Sequence, residues 1–229
     1  MTQNQPEAWP DLGTLLDAIA ADWDQPDTPI SVRSRHSNSD TPLHTAVMWR
    51  DALAVQLLLD GGAAVDAIGE ADHRPLHWAV AFGQLRIVEL LLAAGAEPDH
   101  TTEQVDPPIV TAASTNRPRI VAALLAAGCK PDTRSVAEQR TALLDALQFN
   151  LVGVVDLLLG AGADPNQADE HGQTALHYAV DMNHPHLVQR LLAYGASPNT
   201  ADADGKTPLQ IAEETDLPEI RRLLAAHLQ

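Results

Sequence analysis

Thr41-Pro42-Leu43-His44-Thr45-Ala46 returns as Arg74-Pro75-Leu76-His77-Trp78-Ala79, then as Thr174-Ala175-Leu176-His177-Tyr178-Ala179 and Thr207-Pro208-Leu209-Gln210-Ile211-Ala212. Weaker copies open at Pro107-Pro108-Ile109-Val110 and at Thr141-Ala142-Leu143-Leu144. The starts lie 33, 33, 34, 33 and 33 residues apart. Five positions after every start stands an alanine: Ala46, Ala79, Ala112, Ala146, Ala179 and Ala212. Seventeen positions after every start stands a leucine: Leu58, Leu91, Leu124, Leu158, Leu191 and Leu224. Two residue types held in register over six copies define a repeating structural unit, and a period of this length belongs to an array of stacked units.

Each copy has a physical reading. Thr before Pro supplies an N-cap oxygen, and Pro at the first helical position gives up only an N–H that has no partner. A short first helix then runs to Gly83, or to Asn116, Asn150 and Asn183 in other copies, residues that tolerate a left-handed terminus. A second helix carries leucine pairs such as Leu91-Leu92 and Leu158-Leu159, and stops at Gly62, Gly95, Gly128, Gly162 or Gly195. Pro98-Asp99, Pro165-Asn166 and Pro198-Asn199 follow, and then a turn such as Asp202-Ala203-Asp204-Gly205. One such unit exposes more apolar surface than it can cover by itself, so neighbours must bury each other's faces.

Thr-Pro-Leu-His-x-Ala at a 33-residue period, closing on Gly-Ala-x-Pro-Asn, resembles the ankyrin repeat, and the resemblance runs over residues 41–229. It implies an all-α solenoid of helix-turn-helix units with short hairpin-like turns. The units fall at 41–73, 74–106, 107–140, 141–173 and 174–206. Residues 207–229 read as a C-terminal capping repeat, because Arg221 and Arg222 replace apolar residues there and the terminal glycine is lost. Residues 1–40 read as an N-terminal capping helix (Leu12, Leu15, Leu16, Ile19) followed by a long connection from Gln25 to Asp40. The departures are local. The third unit lacks the Thr and His, the connection from Pro131 to Thr141 has one extra residue, and the turns before Arg74 and Pro107 lack the usual glycine.

Composition narrows the function. In 229 residues, 45% are hydrophobic and 3% aromatic, too apolar for a disordered chain and too poor in aromatics for a β-sandwich. Fourteen Lys and Arg against thirty-one Asp and Glu leave a formal charge of −17. A chain of that sign repels phosphate backbones and anionic membranes, so neither nucleic acid nor membrane is expected as a partner, and a basic protein surface is. No Lys or Arg precedes Arg33, and no apolar run reaches membrane-spanning length, so the expected location is cytoplasmic. The lone Cys129 can form no internal disulfide.

Chemistry is sparse. His184 and His186 flank a proline and give no convergent ligand set; a zinc site needs three or four. Asp202-Ala203-Asp204-Gly205 opens like a calcium loop, but its twelfth residue, Glu213, falls inside the next helix. No phosphate loop or nucleophile elbow occurs, and neither metal nor cofactor nor enzymatic activity is expected. The resemblance implies structural roles for His44, His77 and His177, which would bond neighbouring turns, and for Cys129 at a position where the family places a small alanine.

The resemblance also implies a groove lined by the residues seven and eight positions after each start. Met48, Trp49, Phe82, Phe149 and Met182 make that line apolar, with Trp78 and Tyr178 beside it. The turn tips supply a rim in which acids dominate: Glu70, Glu103, Asp106, Glu138, Glu170 and Asp204, with Asp40, His73, Arg140, His171 and Lys206 among them. Such a groove suits a basic, partly hydrophobic protein segment, bound by a chain that is monomeric alone. The alternative is a dedicated acidic inhibitor or immunity-type protein that blocks a basic enzyme or toxin.

Overall fold

The structure, a computed structural model, describes residues 9–227. These residues form two compact units, one ending at Pro108 and one beginning at Ile109. Each follows from the same local rules. Six times a seven-residue helix is followed by a nine-residue one. The first unit holds α1 (Leu12–Asp22), α2 (Pro42–Met48), α3 (Ala52–Asp60), α4 (Pro75–Ala81) and α5 (Leu85–Ala93). Next in the chain come α6 (Pro108–Ser114), α7 (Pro118–Ala126), α8 (Ala142–Gln148), α9 (Val152–Gly160), α10 (Ala175–Asp181), α11 (Pro185–Ala193), α12 (Pro208–Glu214) and α13 (Pro218–Ala226). Among the described residues the one β feature is an isolated antiparallel bridge between Arg134 and Thr141.

The periodic Ala and Leu are the core. All six of the alanines and all six of the leucines are at most 1% exposed. In the first unit α2 packs on α3 and α4, and α3 on α5; in the second α8 packs on α9 and α10, α10 on α11 and α12, and α11 on α13. The small alanine in each first helix admits this close approach, and the leucine of the second helix fills the space that remains. First helices end where the backbone turns left-handed, at Arg50, Gly83, Asn116, Asn150, Asn183 and Asp216 (φ 52–69°). Cys129 is buried at the register position of Ala96, Ala163 and Ala196, so it packs as a small apolar group.

At the N-terminal edge α1 caps its unit by burying Leu15, Ile19 and Ala20 against α2 and α3. Leu12 and Leu16 are half-buried. Trp23, which follows α1, is buried and donates from Nε1 to Thr45 Oγ1 at 2.9 Å. At the other end Arg221 and Arg222 are exposed on α13 while Ile220 and Leu224 are buried.

Histidine fastens the units to their turns. A backbone N–H can only donate, so the Nδ1 of His44, His77 and His177 accepts from Thr41, Arg74 and Thr174, at 3.0–3.1 Å. The proton therefore sits on Nε2, which donates to a carbonyl further along: His73 for His44, Lys206 for His177 and His100 for His77. His44 and His177 reach 29 residues ahead and His77 only 23, and the turns explain the difference. Gly69, Asp169 and Asp202 each close a turn by donating to the carbonyl four residues on. Before Arg74, where Asp72 stands in the place of Gly172 and Gly205, Ala71 and Asp72 take positive φ (51° and 60°) and the closure survives. Before Pro107 it does not: Thr102 N–H donates to Val105 instead, and His77 turns to the nearer carbonyl of His100.

The long connection from Gln25 to Asp40 ends in a regular turn, with His36 N–H donating to the Asp40 carbonyl in the same closure. One expectation for the turn tips changes. Asp40 itself is not at a tip. It is 3% exposed, and its Oδ1 accepts from Glu70 N–H at 3.0 Å.

Neighbouring turns also touch. Ala203 N–H donates to the His171 carbonyl at 2.8 Å, and a Cβ on Gly172 (φ +75°) would stand 2.9 Å from Ala203 N. Gly205 (φ +77°) meets nothing within 4 Å. Gly205→Ala should therefore cost only the left-handed strain, about 1–2 kcal/mol. Gly172→Ala should cost measurably more, because the turns must also separate. Urea unfolding of the two variants checks this; equal losses would mean that the turn contact contributes nothing.

Burial, partly offset by the His100 carbonyl, holds the His77 ring neutral down to about pH 4, against an ordinary value of 6.5. The unfolded chain takes up this proton first as pH falls, so the stability contribution is complete above pH 6.5 and lost progressively toward pH 4. Gln210 occupies the corresponding position in the last copy and accepts from Thr207 N–H at 2.8 Å, which makes His77→Gln a cap-preserving change. The variant should lose about 1 kcal/mol at pH 7 with the bond to His100. It should also lack on the order of 2 kcal/mol of the wild type's decline between pH 7 and 5. Parallel stability–pH curves would contradict this role.

Candidate protein-binding surface

The residues seven and eight positions after each start lie where the first helices stop. Met48 ends α2, Ala81 ends α4, Gln148 ends α8 and Asp181 ends α10; Trp49, Phe82, Phe149 and Met182 follow as C-caps. Here the side chains leave the helix bundle, so their identity is free of the Ala/Leu packing constraint. Met48 (44%), Phe149 (54%) and Met182 (45%) are among the large apolar side chains exposed to solvent.

In the first unit the aromatics are organised by stacking. Trp78 lies between His73 (ring centroids 4.5 Å, planes 23°) and Phe82 (5.6 Å, 20°), and the guanidinium of Arg50 covers the Phe82 ring at 5.4 Å. The contacts run from His73 through Trp78 and Phe82 to Arg50, and Trp78 is half-buried among them. Trp49 is half-buried too and stacks on Trp9 (6.1 Å, 17°). Of the acids expected on this unit's rim, Glu70 and Glu103 are exposed and Asp106 is half-buried. The Asn38 amide donates to Glu70 Oε2 at 3.2 Å.

In the second unit the tips and the first helices enclose a cleft of about 250 Å³, lined by Glu138, Arg140, Asp169, Glu170, His171, Gln173 and Tyr178. Tyr178, beside the apolar line, donates its hydroxyl to Asp169 Oδ2 at 2.9 Å. Burial first, and then this bond, push the phenol up to about 12, so it remains a donor at any physiological pH. Arg140 is committed within the protein. It pairs with Asp145 (2.9 Å) and Glu138 (2.8 Å), and donates to Gln148 Oε1 at 2.7 Å. Burial opposes its charge, but Asp145 with Tyr178 and Glu138 more than compensate, so the guanidinium's pKa is raised. The cation in the cleft is thereby neutralised, while Glu138 and Glu170 remain exposed and Asp204 stands exposed in the following turn.

Among the groups here that sequence reasoning did not single out are Trp9, Arg50, Asp145 and Asp169. Trp9 lies outside the repeat register. Asp145 was detectable: a carboxylate occupies the fourth position after a start, where other copies carry Thr45, Trp78, Thr111, Tyr178 and Ile211. Among the described residues no group of three or more His, Cys, Asp or Glu is placed to hold a metal ion. Asp202 Oδ1 is already used by its own turn, accepting from Asp204 and Lys206 N–H groups at 3.0 and 2.9 Å. No helix among the described residues is long and apolar enough to cross a membrane.

Comparison with known proteins agrees with this architecture. The family model described as "Ankyrin repeats (3 copies)" matches residues 15–102 and 152–229. An ankyrin repeat domain from Acinetobacter baumannii AYE is 30% identical over 81% of this chain and 97% of its own, with a TM-score of 0.76. The ankyrin repeat protein EF0377 is 26% identical over 80% of this chain and 96% of its own (TM-score 0.72). The ankyrin repeat domain of Bcl-3, of the IkappaB protein family, shares the fold at 24% identity, 91% coverage of each chain and a TM-score of 0.75. No curated protein matches the sequence. With its repeats matched over most of their length and their Ala and Leu positions filled and buried in all six copies, the chain belongs to the ankyrin repeat family.

Proposed function

We propose that this chain, a non-enzymatic ankyrin-repeat module for protein–protein interaction, binds a basic, partly apolar segment of its partner along the first-helix ends and turn tips. The observation that carries the reading is the exposure of Phe149 and Met182, at matching positions of the adjacent helices α8 and α10, in the unit that also holds the carboxylate-lined cleft. Exposed apolar side chains at these positions do nothing for the fold and mark a contact surface. Carboxylates at the rim select a partner of opposite sign and speed its approach, while the apolar centre supplies most of the affinity.

Selection from a random peptide display library should therefore enrich sequences that combine Lys or Arg with aromatic or aliphatic residues. Phe149→Ala with Met182→Ala should leave the melting temperature nearly unchanged and weaken a selected peptide by about 2 kcal/mol or more. Glu89→Ala with Gln189→Ala, both exposed on second helices, should change neither. Loss of folding in the aromatic–methionine pair, or unaltered binding, would show that the partner uses another face.

The charge has a separate signature. Association of the same peptide should slow steeply between low and physiological salt, with dissociation changing much less. Stopped-flow or surface-based kinetics over a salt series measure this, and a salt-independent association rate would remove the acidic rim from the mechanism.

A further inference from the structure

Trp9 belongs to no repeat, yet it sits on a binding position. Its ring stacks on Trp49 at 6.1 Å with the planes 17° apart, and its Nε1 donates to Asp51 Oδ2 at 2.8 Å. Trp49 occupies the register position that is filled elsewhere by Phe82, Phe149 and Met182. Asp51 is not free to move. As N-cap of α3 its Oδ1 accepts from Leu53 and Ala54 N–H groups, both at 3.0 Å, which leaves Oδ2 presented beside the Trp49 ring. A flat apolar platform with one fixed acceptor at its edge fits a ring that carries a single N–H.

The packing separates Trp9 from the cap proper. The buried layer at this edge is Leu15, Ile19, Ala20 and Trp23. Trp9 stands outside it, half-buried, and borders a hollow of about 220 Å³ whose other walls are Leu53, Gln56, Leu57 and Asp60. Leu53 is 58% exposed. The indole thus has space to move into and an incoming group has space to arrive.

We infer that Trp49 and Asp51 form a subsite for a tryptophan side chain of the partner segment, and that Trp9 fills it as an intramolecular pseudo-ligand until the partner displaces it. The inference rests on the groove reading above for the origin of the incoming ring, but the subsite itself can be tested without a partner. Occupation by the chain's own indole lowers apparent affinity by the fraction of molecules in which the subsite is open.

The 229-residue chain and its Trp9→Ala variant are titrated with N-acetyl-tryptophanamide, following the Trp49 indole N–H and the Leu53 and Ala54 amides by NMR. The variant should show saturable shifts at these three groups and bind at least roughly tenfold more tightly than the wild type. Adding Asp51→Asn, which keeps a capping oxygen but can turn an amide N–H toward the ring, should abolish the gain. N-acetyl-phenylalaninamide, which lacks the ring N–H, should bind more weakly than the tryptophan probe. Trp9→Phe, which keeps the stack and loses the donor, should give a probe affinity between those of wild type and Trp9→Ala. Equal binding to wild type and Trp9→Ala, or none to a folded Trp9→Ala, overturns the proposal. So does unfolding of Trp9→Ala together with wild-type behaviour of Trp9→Phe, since Trp9 is then core. A failed peptide selection with a successful titration here would count against the groove reading alone, and the converse against the subsite alone.

Discussion

The alanine five residues into each first helix is the constraint on which the rest depends. It lets one first helix lie close against the next, and a leucine twelve positions later on the second helix closes the layer; these side chains are at most 1% exposed in all six copies. A larger residue at the alanine position would push the helices apart and open the leucine layer with them. Once the period is set, every other position of the repeat returns to the same place relative to its neighbours. Histidine converts that regularity into rigidity. One ring satisfies a helix N-terminus and a distant turn carbonyl at once, and it can do so only while neutral.

The same regularity separates stability from binding. Side chains at the ends of the first helices project beyond the Ala/Leu layer, so Phe149 and Met182 can remain exposed without loosening the core. The two units use this freedom differently. In the first, four side chains from His73 to Arg50 stack on one another, and Trp9 covers Trp49. In the second, the apolar residues stay open and the polar ones organise a cleft, with Tyr178 fixed by Asp169 and Arg140 neutralised by Asp145 and Glu138. A net charge of −17 would be a general solubility device if it were spread evenly. Exposed carboxylates of Glu138 and Glu170 gathered at a cleft around Arg140, itself already paired with two acids, give it a direction.

Helix positions, most of their terminators and the buried layer were legible in the sequence because each rests on a local rule that recurs from copy to copy. Arg50 and Asp216, however, end first helices without the Gly or Asn that marks the others. Legibility failed where repetition did. The turns before Arg74 and Pro107 both lack a glycine at their fourth position, yet the first keeps its closure by placing Ala71 and Asp72 at positive φ, and the second abandons it. Asp40 reads as a tip residue from its place before Thr41, but it turns inward to hold the Glu70 amide. Trp78 and Phe82 were recognisable as surface aromatics; that they cover each other's faces depends on His73 and Arg50, which no periodicity links to them. Trp9, outside every repeat, could be placed only by the fold.

On the proposed reading a partner contacts the first-helix ends and turn tips, while the Ala/Leu layer does no more than hold them in place. Native-state hydrogen exchange, with and without a display-selected basic, apolar peptide, tests it most directly. Added protection should appear at the amides around Phe149–Asn150 and Met182–Asn183 and in the turns at Glu138–Arg140 and Glu170–Gly172, with second helices such as Val152–Gly160 and Pro185–Ala193 unchanged. Protection confined to the second helices, or spread uniformly over both helices of every repeat, would contradict the account.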